Sequence, residues 1–150
     1  MKFNFKLILI YIIAIIPWFL SSLIFRVDTN YYNSLNLPPI APPNYLFPIV
    51  WTTLYLLIGF SIYKVFNKSS VKYKITLIIN YLSNQLYTPI FFLLKNNFFS
   101  LIDCLIVLVS SIILYLETQK LDKKIAYLLI PYIIWNAFAT MLSIWILFLN

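Results

Sequence analysis

The sequence predicts an all-α membrane protein, a bundle of five transmembrane helices forming a single domain over residues 1–150. Three observations predict it. The composition is 63% hydrophobic and only 10% charged, with a mean hydropathy of +0.90, too apolar for a soluble domain of this length. Five apolar runs each approach the length of about 20 residues that a helix needs to cross a ~30 Å hydrocarbon core. None alternates over the short segments of roughly ten residues that build an outer-membrane barrel, so each reads as a helix.

The first span, 7–25, follows Lys2 and Lys6 and so imitates a secretory signal. It continues through Ser21 and Ser22 to Phe25 with no small-x-small cleavage pattern, and reads as a retained helix. The connection 26–44, RVDTNYYNSLNLPPIAPPN, is the one long loop and holds four of the eight prolines. Pro38, Pro39, Pro42 and Pro43 stiffen its second half, and Tyr31, Tyr32 and Leu35 supply apolar anchors. Two readings of this loop stand side by side: a lid over the outer mouth of the bundle, or an interfacial tether with its tyrosines among the headgroups. Spans 45–66, 75–94, 98–116 and 125–149 follow, and the short connections 67–74, 95–97 and 117–124 predict antiparallel neighbours. Pro17, Pro48, Pro89 and Pro131 each remove a backbone donor and predict kinks in the first, second, third and fifth spans.

Charge predicts the orientation. If the N-terminus and the connections after the second and fourth spans share a side, that side holds Lys2, Lys6, Lys64, Lys68, Lys72, Lys74, Lys120, Lys123 and Lys124. The other side holds Arg26 and Lys95. This imbalance places the N-terminus in the cytoplasm and the C-terminus outside, in a multi-pass protein of the cell membrane. The net charge of +7 then reflects topology and attraction to anionic lipid, with no nucleic-acid partner implied. Histidine is absent and Cys104 is the single cysteine, which removes His/Cys metal clusters and intramolecular disulfides from consideration. The expected metal ligands are none, and Cys104 reads as a small buried residue.

Residues that lipid does not ask for fall in stripes. Pro131, Trp135, Ala139 and Ser143 recur every four residues on the fifth span. Pro48, Trp51, Tyr55 and Gly59 share a face of the second, and Asn80, Asn84, Tyr87, Thr88 and Phe91 a face of the third, with Gln85 beside it. The first span offers Ala14, Trp18, Ser22 and Phe25. Carboxamides in a bilayer require partners, so Asn80 and Asn84 are either interhelical ties or ligand contacts. Pooled around a cavity, these stripes suit a large, flat, mostly apolar ligand. Trp145 lies near a helix end and reads as an aromatic-belt residue, whereas Trp135 is too deep for one. Asp103, the one carboxylate within an apolar run, is a functional candidate by its position, or else an anion held near the start of its helix. It has no second acid with which to make an acid/base pair.

These pieces together resemble the translocator protein family, also called the tryptophan-rich sensory protein or TspO/MBR family. The likeness runs over essentially the whole chain and is carried by YYNSLNLPPIAPPNYLFPIVWTTLY from Tyr31, SNQLYTPIFF from Ser83, Asp103 and LLIPYIIWNAFATMLS from Leu128. The resemblance implies a five-helix bundle, commonly a homodimer, with a pocket on the side closed by the loop after the first helix. It implies binding of porphyrins and other hydrophobic small molecules, benzodiazepine-type compounds included. Carried over by position, it implies pocket roles for Trp51, Trp135, Asn84 and Ala139, beside which the stripes and the loop add Asn80, Ser143, Tyr55, Ser22, Tyr32 and Pro42 as ligand-binding candidates. The chain departs from the family in carrying Tyr31, Tyr87 and Phe99 where Trp is frequent, and Ser143 where Asn is frequent.

Three functions follow as expectations. The first is a membrane receptor or carrier for porphyrins of the protoporphyrin IX type, with no required cofactor and the porphyrin as ligand. The second is light- and oxygen-dependent porphyrin degradation, in which Trp51 and Trp135 would be the only residues joining the chemistry, since no general base, nucleophile or metal is offered. The third is a small membrane transporter or scaffold.

Overall fold

The structure is a computed structural model, which describes residues 11, 12 and 15–150. The expected first span therefore lies partly outside the described residues, as do Lys2, Lys6 and Ala14. Secondary structure among the described residues is entirely helical. A 3-10 turn, Ile16–Phe19, leads into α1 (Leu20–Ile24), and α2 (Thr29–Ser34) lies within the long loop. Then come α3 (Leu46–Val65), α4 (Val71–Thr88), α5 (Asn97–Leu121), the short α6 (Lys123–Ala126) and α7 (Ile130–Leu149). Three stretches, Leu46–Lys68, Asn97–Leu121 and Lys123–Leu149, are long and apolar enough to cross a membrane.

The interior mixes an apolar core with many polar side chains, and the exterior is apolar. Asn80, Ser83, Asn84, Ser110, Ser111, Asn136 and Thr140 are buried, while Ile78, Ile79, Leu82, Val109, Ile134 and Phe148 are exposed. A soluble bundle of this size would not leave so many aliphatic side chains exposed while burying carboxamides. In a bilayer the arrangement is the expected one, because lipid tails solvate the aliphatic surface and nothing but protein can satisfy a carboxamide. α5 is the central helix, packing against both α4 and α7, and the short connections make consecutive helices antiparallel.

Proline acts at three of the four expected places. Pro17 opens the 3-10 turn before α1, Pro89 opens a π-helical turn, Pro89–Leu93, that extends α4, and Pro131 sits at the start of α7 after a 3-10 turn, Tyr127–Leu129. Pro48 makes no break. It occupies the first turn of α3, where its missing N–H would have had no helical partner anyway. Carbonyls of the 3-10 turn are met by α4: the Tyr81 hydroxyl donates to the Pro17 carbonyl (3.0 Å), and the Gln85 amide donates to the Trp18 carbonyl (3.2 Å). Gln85 Oε1 also accepts from the Ser21 backbone N–H at 2.7 Å, so one glutamine fixes the first segment to α4.

Two expected connections are shorter than hydropathy implied. α4 begins at Val71, capped by Ser70, and α5 runs on to Leu121, leaving Asp122 to turn the chain and cap α6. Lysine, glutamate and glutamine are good helix formers, so a helix continues past the point where its composition stops being apolar. Glu117, expected in a connection, is instead buried on α5, where it pairs with Lys120 (2.6 Å) and Lys72 (3.6 Å) and accepts from Ser70 Oγ.

The long loop folds over the end of the bundle that carries the C-terminus. Asp28 caps α2 by accepting from the Tyr31 N–H, a helix the proline-rich reading did not foresee. The Tyr32 hydroxyl donates to the Pro42 carbonyl (3.0 Å), closing the loop on itself, and Asn36 bonds Asn150 and the Leu149 carbonyl. Lys95, at φ 50°, ends the π turn in the left-handed region and sets its ammonium 3.5 Å from Asp28 and 5.0 Å from the centre of the Tyr31 ring.

Gly59 lies where the first segment crosses α3. A Cβ there would come within 2.6 Å of Ile15 Cγ1, a branch atom with little freedom to move. Replacing Gly59 by Ala should lower stability by about 1–3 kcal/mol through overpacking, read as a fall in the thermal midpoint of the detergent-purified chain. A midpoint equal to or above that of the unaltered chain would show that this crossing is loose.

The Asp28 carboxyl is held below its ordinary value of 3.8, first by the Tyr31 N–H and then by the Lys95 charge, against a partly opposing desolvation. A depressed carboxylate stabilises the folded loop fully above its ordinary value, and that contribution fades as the pH falls through the depressed one. The loop's amide protection should therefore be flat from neutral pH to about pH 5 and drop only under stronger acid. Asp28→Asn should remove the acid-dependent step, as hydrogen exchange at Tyr31 would show.

Candidate ligand cavity

A cavity of about 390 Å³ lies between the first segment, the loop, α3, α4, α5 and α7. That volume falls within the range of small-molecule sites. One wall is the aromatic ridge of α3, where Phe47, Trp51 and Tyr55 follow at four-residue spacing. Facing it on α7 are Trp135, Ala139, Leu142 and Ile146. The Trp51 and Trp135 rings stand 6.5 Å apart at 88°, Trp51 lies tilted 5.4 Å from Tyr55, and Trp18 closes the row 5.6 Å beyond Tyr55. Tyr87 and Phe91 stack at 5.5 Å on the α4 side.

Because the two indoles are perpendicular, a planar ligand can lie face to face with one while meeting the edge of the other, a geometry that aromatic quadrupoles favour. Ser22, Val27, Thr29, Pro48 and Thr52 border the cavity and are also exposed, so it reaches the surface between the first segment and the start of α3.

Polar groups beside the cavity form one chain of hydrogen bonds. Tyr55 donates to Asn84 Oδ1 (2.9 Å), Asn84 Nδ2 donates to the Tyr132 hydroxyl (3.4 Å), and Tyr132 donates to Asn80 Oδ1 (3.0 Å). Asn80 Nδ2 finishes the chain on the Val107 carbonyl (3.1 Å) and Ser110 Oγ (2.8 Å). The chain joins α3, α4, α5 and α7. Separately, Ser83 Oγ donates to Asp103 Oδ1.

Of the residues expected to touch a ligand, Trp51, Trp135, Asn84, Ala139, Tyr55, Ser22 and Tyr32 border the cavity together. Asn80, Ser143 and Pro42 do not. Asn80 is fully buried in the bonds just given, Ser143 Oγ faces Cys104 Sγ at 3.3 Å between α5 and α7, and Pro42 serves the loop through its carbonyl. Between the two roles open for the carboxamides, Asn80 is a tie between helices, and Asn84 is a tie that also borders the cavity. Asp103, Cys104 and Asn136 border it too, without having been selected as ligand contacts. Asn136 carried a usable signal, a carboxamide next to Trp135 in an apolar run, but it stands one position off the stripe.

A model of the TspO/MBR family matches residues 7–149. The tryptophan-rich protein TspO of Bacillus cereus is 35% identical over 129 residues, covering 84% of each chain. Membrane protein YtaB of Bacillus subtilis is 38% identical over 124 residues, 80% of each chain. The translocator protein of Bos taurus is 30% identical over 121 residues, 76% of this chain and 71% of its own. Together with the long apolar helices, these relatives make the chain a multi-pass membrane protein.

The hydrogen-bond chain ranks its own members. Asn80 makes three bonds with no exposure, whereas Tyr55 makes one at a cavity wall. Asn80→Ala should cost about 1–2 kcal/mol in reversible denaturant unfolding and Tyr55→Phe less than about half of that, in the range of measured interhelical bonds within membranes. Equal losses would mean that burial does not decide their strength.

Proposed function

We propose that this chain, which belongs to the TspO/MBR family, is a five-span receptor or carrier of the cell membrane that binds porphyrins of the protoporphyrin IX type and other flat hydrophobic molecules. The observation that carries the proposal is the aromatic cavity between Trp51 and Trp135. Its walls are largely carbon, so the gain on binding comes from apolar burial and ring contacts, with a few polar atoms left to orient the ligand. A macrocycle seated on one indole would turn its carboxylate edge to the mouth at Ser22, Thr29 and Thr52, where water or headgroups can solvate it. The resemblance adds a homodimer in the bilayer, and the lysine distribution adds a cytoplasmic N-terminus.

Light- and oxygen-dependent breakdown of the bound porphyrin is the second reading. It is favoured by the run of oxidisable rings Trp18, Tyr55, Trp51 and Trp135, each within 6.5 Å of the next. The protein would then hold the photosensitiser against electron-rich side chains, the chemistry itself being the ligand's.

Titration with protoporphyrin IX in the dark, followed by illumination, tests both. Saturable quenching of tryptophan fluorescence should appear in the unaltered chain. Binding should weaken by roughly tenfold or more in a folded Trp51→Phe/Trp135→Phe variant, since each indole contact is worth about a kilocalorie. Absence of saturable binding in the folded unaltered chain would refute a porphyrin site. Light-driven loss of the porphyrin spectrum that requires the two tryptophans would move the assignment to breakdown.

A further inference from the structure

All the described lysines except Lys95 gather at one end of the bundle. Lys64 stands in the last turn of α3, Lys68 in the 3-10 turn Phe66–Lys68, and Lys72 and Lys74 in the first turn of α4. Lys120 ends α5, and Lys123 and Lys124 open α6. The two turns meet, since Lys72 reaches Glu117 of α5 at 3.6 Å and α6 packs against α3.

Two of these charges are neutralised. Lys72 and Lys120 share the buried Glu117. Asp122, the other carboxylate at this end, turns Oδ1 to the backbone N–H groups of Lys124 and Ile125. Among the described residues, no ion pair or side-chain hydrogen bond engages the ammonium of Lys64, Lys68, Lys74, Lys123 or Lys124. The opposite end holds Arg26 and Lys95, and Lys95 is paired with Asp28.

The surface around the α3–α4 turn is layered. Lys64 Nζ lies 5.2 Å from the centre of the Phe60 ring and 5.5 Å from that of Tyr63, and Lys74 Nζ lies 5.3 Å from that of Phe66. Phe60 and Phe66 are themselves exposed. Further along α3 and α4, away from the turn, Leu56, Ile75, Ile78 and Ile79 are exposed. Ammonium, ring and aliphatic surface thus follow in the order in which a phospholipid presents phosphate, ester layer and acyl chains. A soluble polyanion would meet only the first of these layers.

We propose that Lys64, Lys68 and Lys74 around the α3–α4 turn form a binding site for anionic phospholipid, its phosphodiester meeting the ammonium groups and its chains lying along the exposed faces of α3 and α4. Lys123 and Lys124 on the adjacent α6 add to the attraction. A zwitterionic headgroup offers the same phosphate but brings a cation that these uncompensated lysines repel. The site lies at the end of α3 remote from the cavity mouth at Pro48 and Thr52, and it stands apart from the reading of the cavity.

The full chain, reconstituted in phosphatidylcholine vesicles with a trace of chain-spin-labelled phosphatidylglycerol or phosphatidylcholine, tests the proposal through the fraction of label immobilised by the protein. Phosphatidylglycerol should associate at least about fivefold more strongly, the preference that a single lysine contributes at an anionic surface. Lys64→Gln/Lys68→Gln/Lys74→Gln should bring the two lipids to within about twofold, whereas Arg26→Gln at the opposite end should leave the preference in place. In the unaltered chain, salt at about 1 M, where charges are screened beyond ~3 Å, should remove most of the preference. Equal association of the two lipids with the unaltered chain, or a preference that the folded triple variant keeps in full, would overturn the site. Displacement of phosphatidylglycerol by added glycerol 3-phosphate would overturn the lipid assignment in favour of a soluble anion.

Discussion

Everything in this bundle depends on the requirement that polar side chains on apolar helices find their partners within the protein. Lipid offers no hydrogen bonds, so a carboxamide turned outward would carry its whole desolvation cost. α4 holds the most exacting set. Asn80 reaches α5, Asn84 reaches α3 through Tyr55 and α7 through Tyr132, Ser83 reaches Asp103, and Gln85 reaches the first segment. With four residues of one helix bonded to every neighbour, the register of the bundle is specified by pairs that aliphatic packing alone would not distinguish. A slide of one residue would leave several of these groups unpaired at once.

The same requirement makes room for the cavity. Gln85 draws the first segment onto α4, and Asn84 draws Tyr55 of α3 onto the same helix. The first segment and the start of α3 are thereby attached to a common support, and between them the cavity reaches the surface at Ser22, Pro48 and Thr52. Proline contributes by interrupting helices where polar side chains stand ready. At the 3-10 turn that holds Pro17, Tyr81 and Gln85 donate to the Pro17 and Trp18 carbonyls, so the irregular backbone has side-chain partners.

Much of this was legible in the sequence because membrane helices declare themselves by length and by the residues they should not contain. Trp51, Tyr55, Asn84, Trp135 and Ala139 were selected as intruders at helical spacing, and they border one cavity. Periodicity names a face but not which of its members lies nearest a neighbour. That is why Asn80 and Ser143, on the right faces, are occupied by α5 partners instead. Pro48 misled because the effect of proline depends on its distance from the helix start, which hydropathy leaves uncertain by several residues. α2 was missed because prolines and tyrosines dominate the loop, and its signal is one aspartate three residues ahead of the N–H it caps.

The perpendicular indoles bear on how such a site discriminates. Two parallel rings would make a slot that accepts any flat molecule of the right thickness, with affinity following area alone. Trp51 and Trp135 at 88° instead form a corner, so a flat molecule stacked on one ring would stand perpendicular to the other. Around that corner the polar atoms are few and mostly engaged with each other, which keeps the walls from competing with the ligand for their own hydrogen bonds. The cavity walls are thus largely carbon, while the aliphatic exterior remains matched to lipid.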